Sequence, residues 1–193
     1  MVQEMITFRI FGVSVRAEFS FITVCALICT INNGSMLKNS LFAAVLHEMA
    51  HLTAMLILGI GLKSVSFHGC GVRIYPEDRL LSYGKEIFIL LAGPSSNLIM
   101  FLILYHYNGN EAAAAQLGLG LMNLMPCRNL DGGRVLRCCL SITKLDSHTI
   151  YSLTRIISIS VILLLTAAGF ISGVRNFTYY ALMLYLFFSE FFG

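Results

Sequence analysis

The sequence predicts an all-α polytopic membrane protein with about six transmembrane helices and a small membrane-surface β element. Three observations carry that reading. Of the 193 residues, 57% are hydrophobic and 12% charged, with a mean hydropathy of +0.79, whereas soluble domains carry about 25% charged residues. Several apolar runs approach the ~20 residues that a helix needs to cross a bilayer. Basic residues are also divided very unevenly among the segments that join those runs.

The elements follow in chain order. Residues 7–15, with β-branched side chains and Phe8 around Gly12, read as extended chain. Residues 19–31 form a short first span, and residues 40–60 form the clearest one. Between the second and third spans, residues 62–75 alternate in KSVSF and GVRIY around Gly69 and Gly71. That period suits short strands better than helix. The third span is residues 86–107. The fourth, residues 112–126, carries Gln116 and Asn123 and stops at Pro126, where a helix loses a donor and meets the proline ring. Residues 150–171 and the aromatic run 178–192 supply the fifth and sixth. There is no repeat, low-complexity tract or linker, so residues 1–193 read as a single domain. The last apolar run ends beside Gly193, and no soluble C-terminal regulatory domain is expected.

Six spans put ten basic residues, from Arg9 to Lys144, on one side of the bilayer and only Lys38 and Arg175 on the other. The positive-inside rule then places both termini in the cytoplasm. Glu4, Arg9 and Arg16 interrupt the start of the chain, which therefore lacks the pattern of a cleaved signal peptide. The net charge of +3 is dispersed, with no block of like charge, so nucleic acid is not a partner and the lipid bilayer is. The six cysteines form no paired CxxC units of the zinc-knuckle kind.

Within the second span the chain reads LHEMAHLTAM, an HExxH pattern formed by His47, Glu48 and His51. Residues four apart share a helix face, so the two imidazoles can meet one metal ion. Glu48 lies beside them, placed to handle a water's proton. Chance supplies such a pattern in this composition about four times in a thousand. Ionisable groups at membrane depth are costly unless they are paired or functional. A catalytic site of this type adds a carboxylate ligand. Glu111, Asp131 and Asp146 are the acids outside the termini and the long cytoplasmic loop, and Asp131 is the distinctive one. It follows Pro126 in NLMPCRNLDGGR, where Gly132 and Gly133 permit close backbone approach. The bland alternative is a loop carboxylate paired with Arg128 or Arg134.

HEMAH in the second span, AGPSSN from Ala92 in the third, and NLMPCRNLDGG from Asn123 after the fourth resemble the three signatures of the site-2 protease family of intramembrane zinc metalloproteases. The layout looks most like the branch containing the stage IV sporulation protein FB. The resemblance covers about residues 5–190. It implies that His47, His51 and Asp131 bind a zinc ion (Zn2+), that Glu48 is the catalytic glutamate, and that Asn123 holds the substrate backbone. Gly93 and Asn97 match a helix-packing motif. Asn129 departs from the proline usual in that branch, which also commonly carries a nucleotide-sensing domain after its last helix.

The function expected is cleavage of a membrane-associated protein within or next to the bilayer of a bacterial cell, with the active-site mouth on the cytoplasmic side. A sporulation sigma-factor precursor is the substrate the branch suggests. Asn123 and an edge strand near residues 66–75 would pair with the unwound substrate. A regulatory membrane partner or a second copy of the chain stays open as a further partner. The rival reading is a non-catalytic zinc-binding adaptor, or pseudoprotease. A transporter would call for repeated halves with ligands in corresponding positions, and the sequence has none.

Overall fold

The computed structural model describes residues 5–10, 13–18, 35–68, 71–76 and 81–192. Strands β1 (Met5–Ile10) and β2 (Val13–Glu18) precede helix α1 (Ser35–Ile57), which leads into β3 (Leu62–His68) and β4 (Gly71–Pro76). Five helices follow: α2 (Tyr83–His106), α3 (Asn110–Leu124), α4 (Asp131–Ile142), α5 (Ser147–Ile171) and α6 (Phe177–Phe192).

The strands form one sheet in the order β1-β2-β3-β4. The outer pairs are antiparallel, and β2 runs parallel to β3 with Ser14 opposite Ser64 and Ala17 opposite Phe67. A parallel pair requires a crossover, and the segment that makes it contains α1. The two stretches read as extended chain, 7–15 and 62–75, fall across β1–β2 and β3–β4. Residues 66–68 belong to β3, which is paired on both sides, so the edges among the described residues are β1 and β4.

Among the described residues, three helices are long and apolar enough to cross a membrane: Lys38–Ile57, Tyr83–His106 and Ser147–Ile171. Their ends differ from the predicted bounds by a few residues, for local reasons. Gly59 has a φ of +67° and donates to the carbonyl of Leu56, closing α1 three residues early. Asp146 caps α5 by accepting from the backbone N–H of Thr149 at 2.9 Å, which starts the helix at Ser147. Helices α3 and α6, of 15 and 16 residues, reach only about 22–24 Å. Residues 19–31, the predicted first span, lie outside the described residues.

Side chains are distributed inside out relative to a soluble protein. Leu56, Ile57, Leu102, Leu164, Phe170 and Ile171 are exposed, while Asn97, Gln116, Ser158 and Glu190 are buried. This is the arrangement of a membrane protein, whose outer surface meets lipid and whose polar groups pair inside. Close packing makes that interior. A side chain at Gly120 of α3 would press on Asn97 and on the Pro94 carbonyl of α2. A second core joins Cys127, Ile162, Met183 and Leu186, so the segment between α3 and α4 packs on α5 and α6.

Helix α4 departs from the sequence reading, which left residues after Pro126 as loop. Its short amphipathic pattern buries Gly133 and Cys138 and exposes Arg134 and Cys139. Asp131 is therefore the first residue of a helix rather than a loop residue. A carboxylate at that end is favoured by the helix dipole.

Candidate metal centre

His47 and His51 lie one turn apart on α1, both buried, with ring centroids 4.7 Å apart. Asp131 reaches them from the start of α4. Its Oδ2 lies 3.0 Å from His47 Nε2 and 3.2 Å from His51 Nε2, and the two Nε2 atoms are 3.1 Å apart. Among the described residues, these three form the group of His, Cys, Asp and Glu that could hold a metal ion.

The partners of the other ring nitrogens fix the chemistry of this triangle. His51 Nδ1 is 2.7 Å from the Ile89 carbonyl, which can only accept, so Nδ1 carries the proton. His47 Nδ1 donates to Asn97 Oδ1 at 2.7 Å. Asn97 is held in that orientation because its Nδ2 donates to the Ala43 carbonyl at 3.0 Å and to Gln116 Oε1 at 2.5 Å. In the neutral rings both Nε2 atoms are then bare lone pairs facing a carboxylate oxygen. Three acceptors converging without a donor repel one another, and a cation relieves that repulsion. Tetrahedral zinc with ligands near 2.0–2.1 Å has ligand-to-ligand edges of about 3.3 Å, close to the observed triangle. The residues present fit a zinc ion.

Glycines make the approach possible. A Cβ at Gly93 of α2 would collide with the imidazoles of His51 and His47. At Gly132 it would strike the Leu124 carbonyl, and at Gly133 the Cys127 carbonyl. Asp131 itself is largely buried.

Of the other predicted site residues, Glu48 follows His47 on α1, half-buried, within the electrostatic reach of His51, His47 and Asp131. Asn123 is not tied to this cluster: its Nδ2 donates to the Leu119 carbonyl in its own helix at 3.2 Å. The other two candidate acids serve elsewhere. Glu111 is exposed in the first turn of α3, and Asp146 caps α5. Sequence reasoning treated Asn97 as packing and Gln116 as an imperfection of a span, whereas both belong to the His47 support. Their signal was present as two amides in otherwise apolar helices.

No family model matches the chain. A solved structure, the site-2 protease from Methanocaldococcus jannaschii, superposes with a TM-score of 0.68 at 22% identity, covering 97% of this chain and 94% of that one. The chain has the site-2 protease fold. A zinc metalloprotease of Methanocaldococcus jannaschii is 28% identical over 156 residues, a match spanning 69% of this chain. The chain matches 44% of that relative's own length.

Proposed function

We propose that this chain is an intramembrane zinc metalloendopeptidase that cleaves a membrane-associated protein within or next to the bilayer. One observation carries the reading: His47 Nε2, His51 Nε2 and Asp131 Oδ2 converge to within 3.2 Å of one another at the HExxH segment of α1. The fold of a site-2 protease and the similarity to a zinc metalloprotease support it.

In this reading residues 1–193 form one domain in a bacterial cell membrane. Residues 19–31, α3 and α6 join the three long helices as six crossings, the short ones accommodated by burial and local thinning. The sheet lies at the cytoplasmic surface. The ten-to-two bias of basic residues supports cytoplasmic termini and a cytoplasmic mouth. The six-span layout and the basic cytoplasmic side support the sporulation branch, for which a sigma-factor precursor is the substrate. A regulatory membrane protein or a second copy of the chain completes the set of proposed partners.

When bound, zinc supplies the Lewis acidity that activates a water and polarises a peptide carbonyl. His47, His51 and Asp131 hold it, with Asn97 and the Ile89 carbonyl keeping both imidazoles oriented. Glu48 accepts the proton of the attacking water and returns it to the departing amine. A helical substrate hides its carbonyls in i to i−4 bonds and must unwind first. Strand β4, an edge of the sheet among the described residues, is suited to pair with the extended strand so produced. Asn123 contributes by exchanging its bond to Leu119 for one to the substrate backbone.

The test is co-expression with a tagged sigma-factor precursor of the sporulation type, comparing wild type with Glu48→Gln and measuring zinc in each purified protein. Cleavage by wild type alone, with metal in both, is expected. Metal in both with no cleavage of this or other membrane-tethered substrates would favour the adaptor reading.

A further inference from the structure

Glu190 lies in the aromatic run LFFSEFF of α6 and is 1% exposed, yet it carries a carboxylate. An ionisable group in such a helix is costly unless the fold gives it a partner. Its Oε1 accepts the backbone N–H of Arg128 at 2.8 Å. Arg128 stands three residues before Asp131, in the segment that joins α3 to α4.

That segment is held from both sides. Ser158 of α5 donates its hydroxyl to the Pro126 carbonyl. Cys127, between the two anchored residues, is fully buried against Ile162 of α5 and Met183 and Leu186 of α6. The Cys127 carbonyl in turn accepts the N–H of Leu130 at 3.0 Å and lies against Gly133 of α4. The backbone from Pro126 to Asp131 thus runs from a side-chain anchor on α5, through one on α6, to the carboxylate that meets His47 and His51.

We infer that Glu190 is a positioning residue for the metal centre: from the last helix it fixes the backbone at Arg128 and thereby sets where Asp131 Oδ2 stands relative to the two imidazoles. The inference rests on the metal site proposed above. Its chemistry requires an acceptor at this point of α6. Glutamine keeps a side-chain carbonyl of the same reach. Leucine keeps the bulk but leaves the Arg128 N–H without that acceptor, inside a segment whose geometry the ligand needs.

The experiment uses the full chain in detergent, stripped of metal and reloaded. Zinc affinity is read by competition with a chromophoric chelator, ligand geometry by the visible absorption of the cobalt(II) form, and folding by thermal unfolding. Glu190→Leu is expected to weaken zinc binding by about 10–100-fold, the usual effect of losing a group that orients a metal ligand, and to change the cobalt spectrum. Glu190→Gln is expected to restore both. If Glu190→Leu does not fold, Glu190→Asp, which withdraws the acceptor by one methylene, takes its place with the same expected direction.

Wild-type affinity and spectrum in a folded Leu or Asp variant would overturn the inference, as would a Gln variant impaired as much as Leu. Asp131→Ala in the same assay separates the two levels. Loss of zinc there with no effect at Glu190 sinks the positioning role alone. Undiminished zinc binding by Asp131→Ala sinks the metal site, and the inference with it.

Discussion

Asn97 Oδ1 accepts the Nδ1–H of His47 at 2.7 Å, from a buried position on α2 that no rotation of the amide could serve equally well. Turning the amide over would set its oxygen against the Ala43 carbonyl and Gln116 Oε1, and its NH2 against the proton on His47. Three helices therefore fix the tautomer of one metal ligand. Replacing Asn97 with alanine strands the His47 N–H and frees the ring to turn. Zinc affinity should fall by about 10–100-fold, measured by chelator competition. Gln116→Leu should shift it in the same direction by less, because Asn97 keeps its bond to Ala43.

Gly93 lies beneath both imidazoles, where a single methyl group has no room. Gly93→Ala should cost about 1–3 kcal/mol through forced movement of packed groups and should abolish zinc binding. Gly118 on α3 is exposed with nothing near its missing Cβ. Gly118→Ala should bind zinc as wild type does and be no less stable, since alanine favours helix over glycine. Unfolding curves and metal content of the two variants, measured together, check the contrast.

Asp146 gives a pH dependence with a definite sign. Hydrogen bonds from the side chain and backbone N–H of Thr149 hold its carboxyl below the usual aspartate value. A carboxyl depressed in the folded state adds stability above its unfolded pKa, and that stability is lost as pH falls through the folded one. Asp146→Ala should therefore unfold at a lower temperature than wild type at neutral pH. The gap should close in acid below the ordinary aspartate pKa. A gap that persists unchanged in acid would contradict the capping role.

Much of the site was legible because its signals are local. His47, Glu48 and His51 sit on one helix, where spacing alone dictates a shared face. Asp131 stood out because acids are scarce in this chain and few others were free for the role. The supports were not legible in the same way. Asn97, Gln116 and Glu190 act through neighbours far away in sequence, and a lone amide or carboxylate in an apolar run does not reveal which neighbour it meets. Helix α4 was missed because it is short and begins within five residues of Pro126, where the loop signals Asn129 and the glycine pair dominate a reading by residue type. The glycines proved to mark helix packed tightly on the preceding segment rather than loop.

The central claim is that His47, His51 and Asp131 hold a zinc ion at which Glu48 moves a proton during peptide hydrolysis. Its most direct test is the cleavage of a membrane-tethered substrate by wild type and Glu48→Gln, each assayed for zinc per chain. The account predicts one zinc in both proteins, cleavage by wild type, and none by the variant. A Glu48→Gln protein that cleaves as wild type does, or a wild-type protein that cleaves after its metal has been removed, would contradict it.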